Sequence, residues 1–219
     1  MLRYLPGCLC MGALSLALLA GSTQAQTVDF EDQNGAGNPI VTSISSGGFT
    51  FQSPHFHVIQ GDGLGEPGVF LAADGTKAYI GEEGANLGRA FTMTKTGGGS
   101  FDFGGFDGAE LWINPPAGYP NAVAIYVTAQ LAGGGFVNQT YTLDGIIDGP
   151  GGAADFQHFT ANLAGVTSLT FSGLGPTGGP EFGFAVDNIK TSLTVPEPTA
   201  TLALLPALAP LGLLLRRRK

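Results

Sequence analysis

Through the middle of this chain, apolar and polar residues alternate in short runs that end in glycine. The clearest run is Ala122 to Leu131, where Val123, Ile125, Val127 and Ala129 fall on one side. Phe49 and Phe51, Phe101 and Phe103, and then Phe182, Phe184 and Val186 repeat the pattern. A period of two puts alternate side chains on one face of a β-strand, so these residues are the predicted core. His55–Ile59, Ala90–Thr94, Phe136–Leu143 and Val166–Phe171 are further β-branched or aromatic runs. Clusters such as Gly47-Gly48, Gly97-Gly98-Gly99 and Gly133-Gly134-Gly135 separate them. Strands bounded by glycine at roughly ten-residue spacing predict an all-β sandwich or barrel. No window has an amphipathic helical period, and no repeat of fixed length recurs. Each buried aromatic or aliphatic side chain contributes about 1.5–3 kcal/mol, which must offset the extra entropy a glycine-rich chain loses on folding.

The pattern changes at both ends. Arg3 precedes an apolar stretch from Cys8 to Ala20, and Thr23-Gln24-Ala25 supplies small residues for cleavage before Gln26. Residues 1–25 therefore read as a secretory signal peptide. Both cysteines, Cys8 and Cys10, lie inside it, so the exported domain expects no disulfide. At the other end, Thr199 to Leu215 carries no charge and is followed by Arg216, Arg217, Arg218 and Lys219. As a helix this segment spans about 25 Å, marginal for a bilayer, with Pro206 and Pro210 inside it. The basic cluster favours a cytoplasmic C-terminus and a body outside the cytoplasm.

Pro196, Glu197 and Pro198, the apolar span 199–215 and the terminal basic residues together resemble the PEP-CTERM sorting signal of Gram-negative bacteria. That resemblance implies recognition by an exosortase-type membrane protease that removes the tail near Pro196–Pro198. Until then the C-terminal helix anchors the protein in the membrane. It also implies delivery to the cell envelope or extracellular space, in organisms that make extracellular polysaccharide. A permanent tail anchor is the alternative reading of the same segment.

Residues 26–194 form the single expected domain. They hold sixteen acids against four bases, a net charge near −12, while the whole chain carries −8. Such a surface repels nucleic acid and anionic lipid and suits cations or neutral sugars. Val28-Asp29-Phe30-Glu31-Asp32 at the start and Phe184-Ala185-Val186-Asp187-Asn188-Ile189 at the end resemble the opening and closing strands of jelly-roll carbohydrate-binding modules. The resemblance implies a jelly-roll β-sandwich. It also implies a structural Ca²⁺ held by Glu31 and Asp187, the matching positions, since hard oxygen ligands suit that ion. The alternative for both carboxylates is hydrogen bonding to nearby backbone amides.

Other chemistry is sparse. Gly61 to Glu66 and Gly81 to Gly84 carry acids but lack the spacing of a calcium-binding loop. His55 and His57 share a strand face, and a metal there would need a third ligand; His158 is the only other histidine. There is no Gly-x-Ser-x-Gly elbow, His-Glu-x-x-His helix or Walker loop. Carboxylate pairs such as Asp102 and Asp107 are expected by chance among so many acids, and the protein reads as no enzyme. Trp112, Asn114 and Tyr119, around a proline-bounded loop, form a candidate sugar platform; Trp112 as a core residue is the alternative. The expected role is structural or adhesive, with carbohydrate binding to extracellular polysaccharide as the second reading.

Overall fold

The computed structural model describes residues 22–33, 40–60, 78–82, 90–112, 120–146, 156–177 and 182–195. Ten strands are present: β1 (Ser22–Val28), β2 (Ile40–Ser46), β3 (Phe49–Gln60), β4 (Ala78–Glu82), β5 (Ala90–Lys95), β6 (Phe101–Glu110), β7 (Ala124–Leu131), β8 (Phe136–Thr142), β9 (Gln157–Leu174) and β10 (Phe184–Val195). The described part is all-β and jelly-roll-like, as the glycine-bounded alternation predicts. A compact unit spans Thr23–Thr194. Among the described residues no helix is long and apolar enough to cross a membrane. The expected tail helix 199–215 and the motif Pro196–Pro198 with Arg216–Arg218 lie outside the described residues. So does the leader up to residue 21, and β1 begins ahead of the expected cleavage point before Gln26.

Two long strands turn the sheet back on itself. One half of β9 (157–166) pairs with β6, and its other half (166–174) lies between β5 and β7. The first part of β3 pairs with β2 and β5, and its last residues pair with β4, which joins β10. β10 also pairs with β6. Strands that pass between two layers make the corners of a sandwich, and here they nearly close it. One layer reads β2-β3-β5-β9-β7-β8; the other is built on β9-β6-β10 with β1. Gly47 and Gly48, at φ 54° and 77°, make the tight turn between β2 and β3 that a two-residue hairpin needs.

Phenylalanine fills the space between the layers. Phe30, Phe49, Phe51, Phe91, Phe103, Phe106, Phe171 and Phe184 are all fully buried. Phe91 on β5 stacks on Phe171 at 4.7 Å and on Phe184 of the opposite layer at 5.7 Å. Phe106 meets Phe171 edge-on at 5.4 Å, and Phe49 meets Phe101 edge-on at 4.9 Å. Such pairs add about 0.5–1.5 kcal/mol each beyond burial. They let a glycine-rich body with no cysteine among its described residues hold one arrangement. Of the predicted core on β7, Ile125, Val127 and Ala129 are buried, but Val123 precedes the strand and is 42% exposed. Phe182 is only partly buried.

Candidate functional site

The outer face of the β2-β3-β5-β9-β7-β8 layer is where the structure concentrates uniform chemistry. Register places Ser45, Thr50, Thr94, Ser168, Gln130 and Phe136 side by side, one from each strand. A second row follows: Ser43, Gln52, Thr92, Thr170, Thr128 and Asn138. A third runs Ala90, Ser172, Tyr126 and Thr140. No carboxylate, amine or imidazole occurs in these rows. Neighbours across a ladder lie about 4.8 Å apart, and residues two apart along a strand about 6.8 Å. The result is a regular field of hydroxyl and amide groups. Some of them bond to one another: Thr92 Oγ1 lies 3.2 Å from Thr170 Oγ1, and Ser168 Oγ donates to Gln130 Oε1 at 3.4 Å. Tyr126 stands half-buried in the field with Thr140 beside it.

This regularity has a local cause. Threonine and serine alternate here with core residues (Phe91 and Met93 on β5, Leu169 and Phe171 on β9), so one parity is locked inward. β-Branched threonine suits a pleated, half-buried surface. The pairs β7–β8 and β5–β9 run without a register shift, which keeps the rows straight.

The outer face of β9-β6-β10 is built differently. Asn162 on β9 and Asn188 on β10 have φ of 55° and 48°, and register shifts occur in both pairings that flank β6. Between them Gly105 sits at φ 154°, where an added Cβ would lie 2.1 Å from the Phe159 carbonyl oxygen. Aligned bulges of this kind re-aim side chains. Asp102 locks the irregular region: Oδ1 accepts from the Gly165 amide at 2.9 Å and Oδ2 from the Ser192 hydroxyl at 3.2 Å. Asp107 Oδ1 lies 2.6 Å from His158 Nδ1, and Lys190 Nζ lies 3.1 Å from His158 Nε2. A neutral imidazole satisfies both neighbours, donating from Nδ1 and accepting at Nε2. An open groove of about 360 Å³ runs beside these groups, lined by Asp102, Asn162, Lys190 and Ser192 among others.

The predicted site residues scatter. Trp112 keeps only 2% of its surface exposed, so it offers no stacking face to solvent. Its backbone N–H donates to Asn121 Oδ1 at 2.8 Å, and its carbonyl accepts from Asn121 Nδ2 at 2.6 Å. That clamp ties the end of β6 to the start of β7, and Trp112 packs as a core residue, the alternative the sequence offered. Asn114 and Tyr119 lie outside the described residues. Glu31 is exposed in the turn after β1, whereas Asp187 is fully buried within β10, opposite Asp107. No group of three or more metal-ligating side chains occurs among the described residues. His55 and His57 fall in the half of β3 whose side chains are not described, and the acids of 61–66 lie outside the described residues. Asp102 and Asp107 serve different partners rather than acting as a pair.

Two titratable groups are displaced. Burial pushes the Asp32 carboxyl up, but hydrogen bonds from Ser46, Gln33 and the Gly47 amide outweigh it and hold the group below its ordinary 3.8. Burial pushes the Tyr141 phenol up to about 12. Its ring packs edge-on against Phe106 at 5.0 Å, beneath the uncharged face.

The chain's class is thus a jelly-roll-like β-sandwich with one uncharged and one charged outer face. No family model and no curated protein matches the chain. Among solved structures it is similar to a mutant of the family 29 carbohydrate-binding module CBM29-2, at 10% identity, covering 81% of this chain and 97% of that one, with a TM-score of 0.39. It is also similar to a DUF4465 family protein from Bacteroides ovatus, at 9% identity, covering 78% of this chain and 99% of that one, with a TM-score of 0.36. At such identities no residue role transfers.

Proposed function

We propose that this protein is an exported, non-catalytic β-sandwich that holds neutral polysaccharide against its uncharged outer face. The observation that carries the reading is the pair of six-residue rows, all Ser, Thr, Asn and Gln except Phe136 at one end, with Tyr126 in the shorter row beside them. Sugar hydroxyls are paired donors and acceptors, and serine, threonine and amide side chains match them in kind. A half-buried tyrosine ring supplies an apolar surface on which the C–H face of a sugar ring can lie. An uncharged face on an otherwise acidic chain leaves a neutral polymer unrepelled, whereas an anionic one meets the acidic surroundings. A long polymer spanning several rows gains from repeated weak contacts.

Export follows from the leader at 1–25 and the tail motif Pro196–Pro198 with its apolar span and basic end. On this reading an exosortase-type protease removes the tail and frees the body into the envelope or matrix. A Ca²⁺ at Glu31 and Asp187 would be a structural clip, separate from the sugar face. Mass analysis of the exported form tests the sorting: a C-terminal residue near Pro198 supports it, and an intact Lys219 contradicts it. Retention of the protein on immobilised neutral glycans tests the binding, with Tyr126→Ala expected to weaken it by roughly tenfold, about 1.4 kcal/mol.

A further inference from the structure

We propose that the free edge of β8 pairs with β8 of a second copy of this chain, making a two-fold dimer whose uncharged faces run together. Among the described residues β8 closes the layer and pairs only with β7. Exposed edges are ordinarily guarded by lysine, proline, a bulge or a cover. Among the described residues Phe136–Thr142 has none of these: its sequence is FVNQTYT, and its pairing with β7 runs through without a shift. Alternate residues of the strand are exposed, and Phe136 stands 67% exposed at one end.

The backbone bonds show which groups the edge offers. The Leu143 amide donates to the Val123 carbonyl, and the Leu131 amide donates to the Gly135 carbonyl. In an antiparallel ladder, bonded and unbonded pairs alternate. Val137, Gln139 and Tyr141 therefore bond to β7, while Phe136, Asn138, Thr140 and Thr142 point their N–H and C=O groups outward.

This set is self-complementary about Gln139. With β8 antiparallel to its copy, Asn138 lies opposite Thr140 of the second copy and Phe136 opposite Thr142, each pair exchanging two bonds. All four outward residues are satisfied on both chains, about eight hydrogen bonds in total. Shifting the register by two residues leaves one of them unpaired. Self-complementarity selects a copy of the chain as the partner, and charge permits it. The protein carries a net −8, so two copies repel least where neither brings acid, and no charged residue or histidine occurs from Asn121 to Leu143. A two-fold axis uses the same patch twice, as most homodimers do. Across that axis Thr128 and Asn138 are followed by Thr140 and Tyr126 of the second copy, so the hydroxyl rows continue without a break.

Sedimentation of the full-length chain in mild detergent with reductant, over a wide concentration range, tests the proposal without any glycan. The wild type sediments as a dimer. The double variant Asn138→Lys, Thr140→Lys sets lysine opposite lysine twice and sediments as a monomer with unchanged far-ultraviolet circular dichroism. Asn138→Lys, Thr140→Glu sets lysine opposite glutamate and restores the dimer. A wild type that stays monomeric overturns the proposal. So does a double-lysine variant that stays dimeric, or a lysine–glutamate variant that stays monomeric.

Discussion

The two outer faces of this sandwich share one phenylalanine core and differ in almost everything else. On β2-β3-β5-β9-β7-β8 the ladders are mostly regular and the side chains are hydroxyls and amides without charge. On β9-β6-β10 the ladders slip, two asparagines take positive φ, and Asp102, Asp107, His158 and Lys190 appear together. The same long strand, β9, contributes to both faces: Thr170 and Ser168 to one, His158 and Asn162 to the other. Charge is therefore placed where irregular backbone needs strong acceptors, as Asp102 does for the Gly165 amide. Where the ladder satisfies the backbone by itself, the outward positions are free to form a repeating surface. A regular surface suits a repeating polymer, and an irregular one suits locking the fold.

The largest test of that contrast is on the bulged face. Gly105→Ala should destabilise the protein by more than about 3 kcal/mol, because a Cβ there meets the Phe159 carbonyl oxygen at 2.1 Å and the backbone has a φ of 154°. Chemical denaturation of the variant measures this. Asp102→Ala should be next, at about 1.5–3 kcal/mol, from the loss of bonds that a carboxylate accepts from Gly165 and Ser192. Neither change touches the uncharged face. There the expectation reverses: Thr128→Glu should move stability by less than about 0.5 kcal/mol and yet remove retention on neutral glycan columns. A Thr128→Glu protein that unfolds, or an Asp102→Ala protein that does not weaken, would erase the distinction between the faces.

The smallest effect is a pH slope. The Tyr141 phenol is raised from 10.0 to about 12 in the folded state. The unfolded chain then ionises first, so stability falls as pH climbs from 10 towards about 12 and is unaffected below. Tyr141→Phe should flatten that alkaline limb in melting curves taken across the range.

Much of the fold could be read from alternation. Phe49, Phe51, Phe101, Phe103, Phe184 and Val186 sit where a period of two puts them. The strand boundaries were harder. β6 and β9 run far beyond the predicted Phe101–Phe103 and Val166–Phe171, because bulges at Gly105 and Asn162 switch the parity and break the pattern the eye follows. The candidate site was less legible. Trp112, the residue that chemistry alone would choose for a sugar, is held inside by Asn121 through backbone bonds that no spacing rule reveals. The uncharged rows draw one residue from each of six strands, and only register brings Ser45 beside Thr50 and Thr94. One trace was present in the sequence: the span from Asn121 to Leu143 has no charge in an acidic domain.

The central claim, that the uncharged face is the binding surface, rests most directly on one titration. Soluble neutral glucan, mannan and galactan would be titrated calorimetrically into the wild type, Tyr126→Ala and His158→Ala. At least one of these glycans should bind the wild type, with Tyr126→Ala binding it roughly tenfold more weakly and His158→Ala unchanged. Loss of binding in His158→Ala with Tyr126→Ala intact, or no heat from any of the three, would contradict that claim.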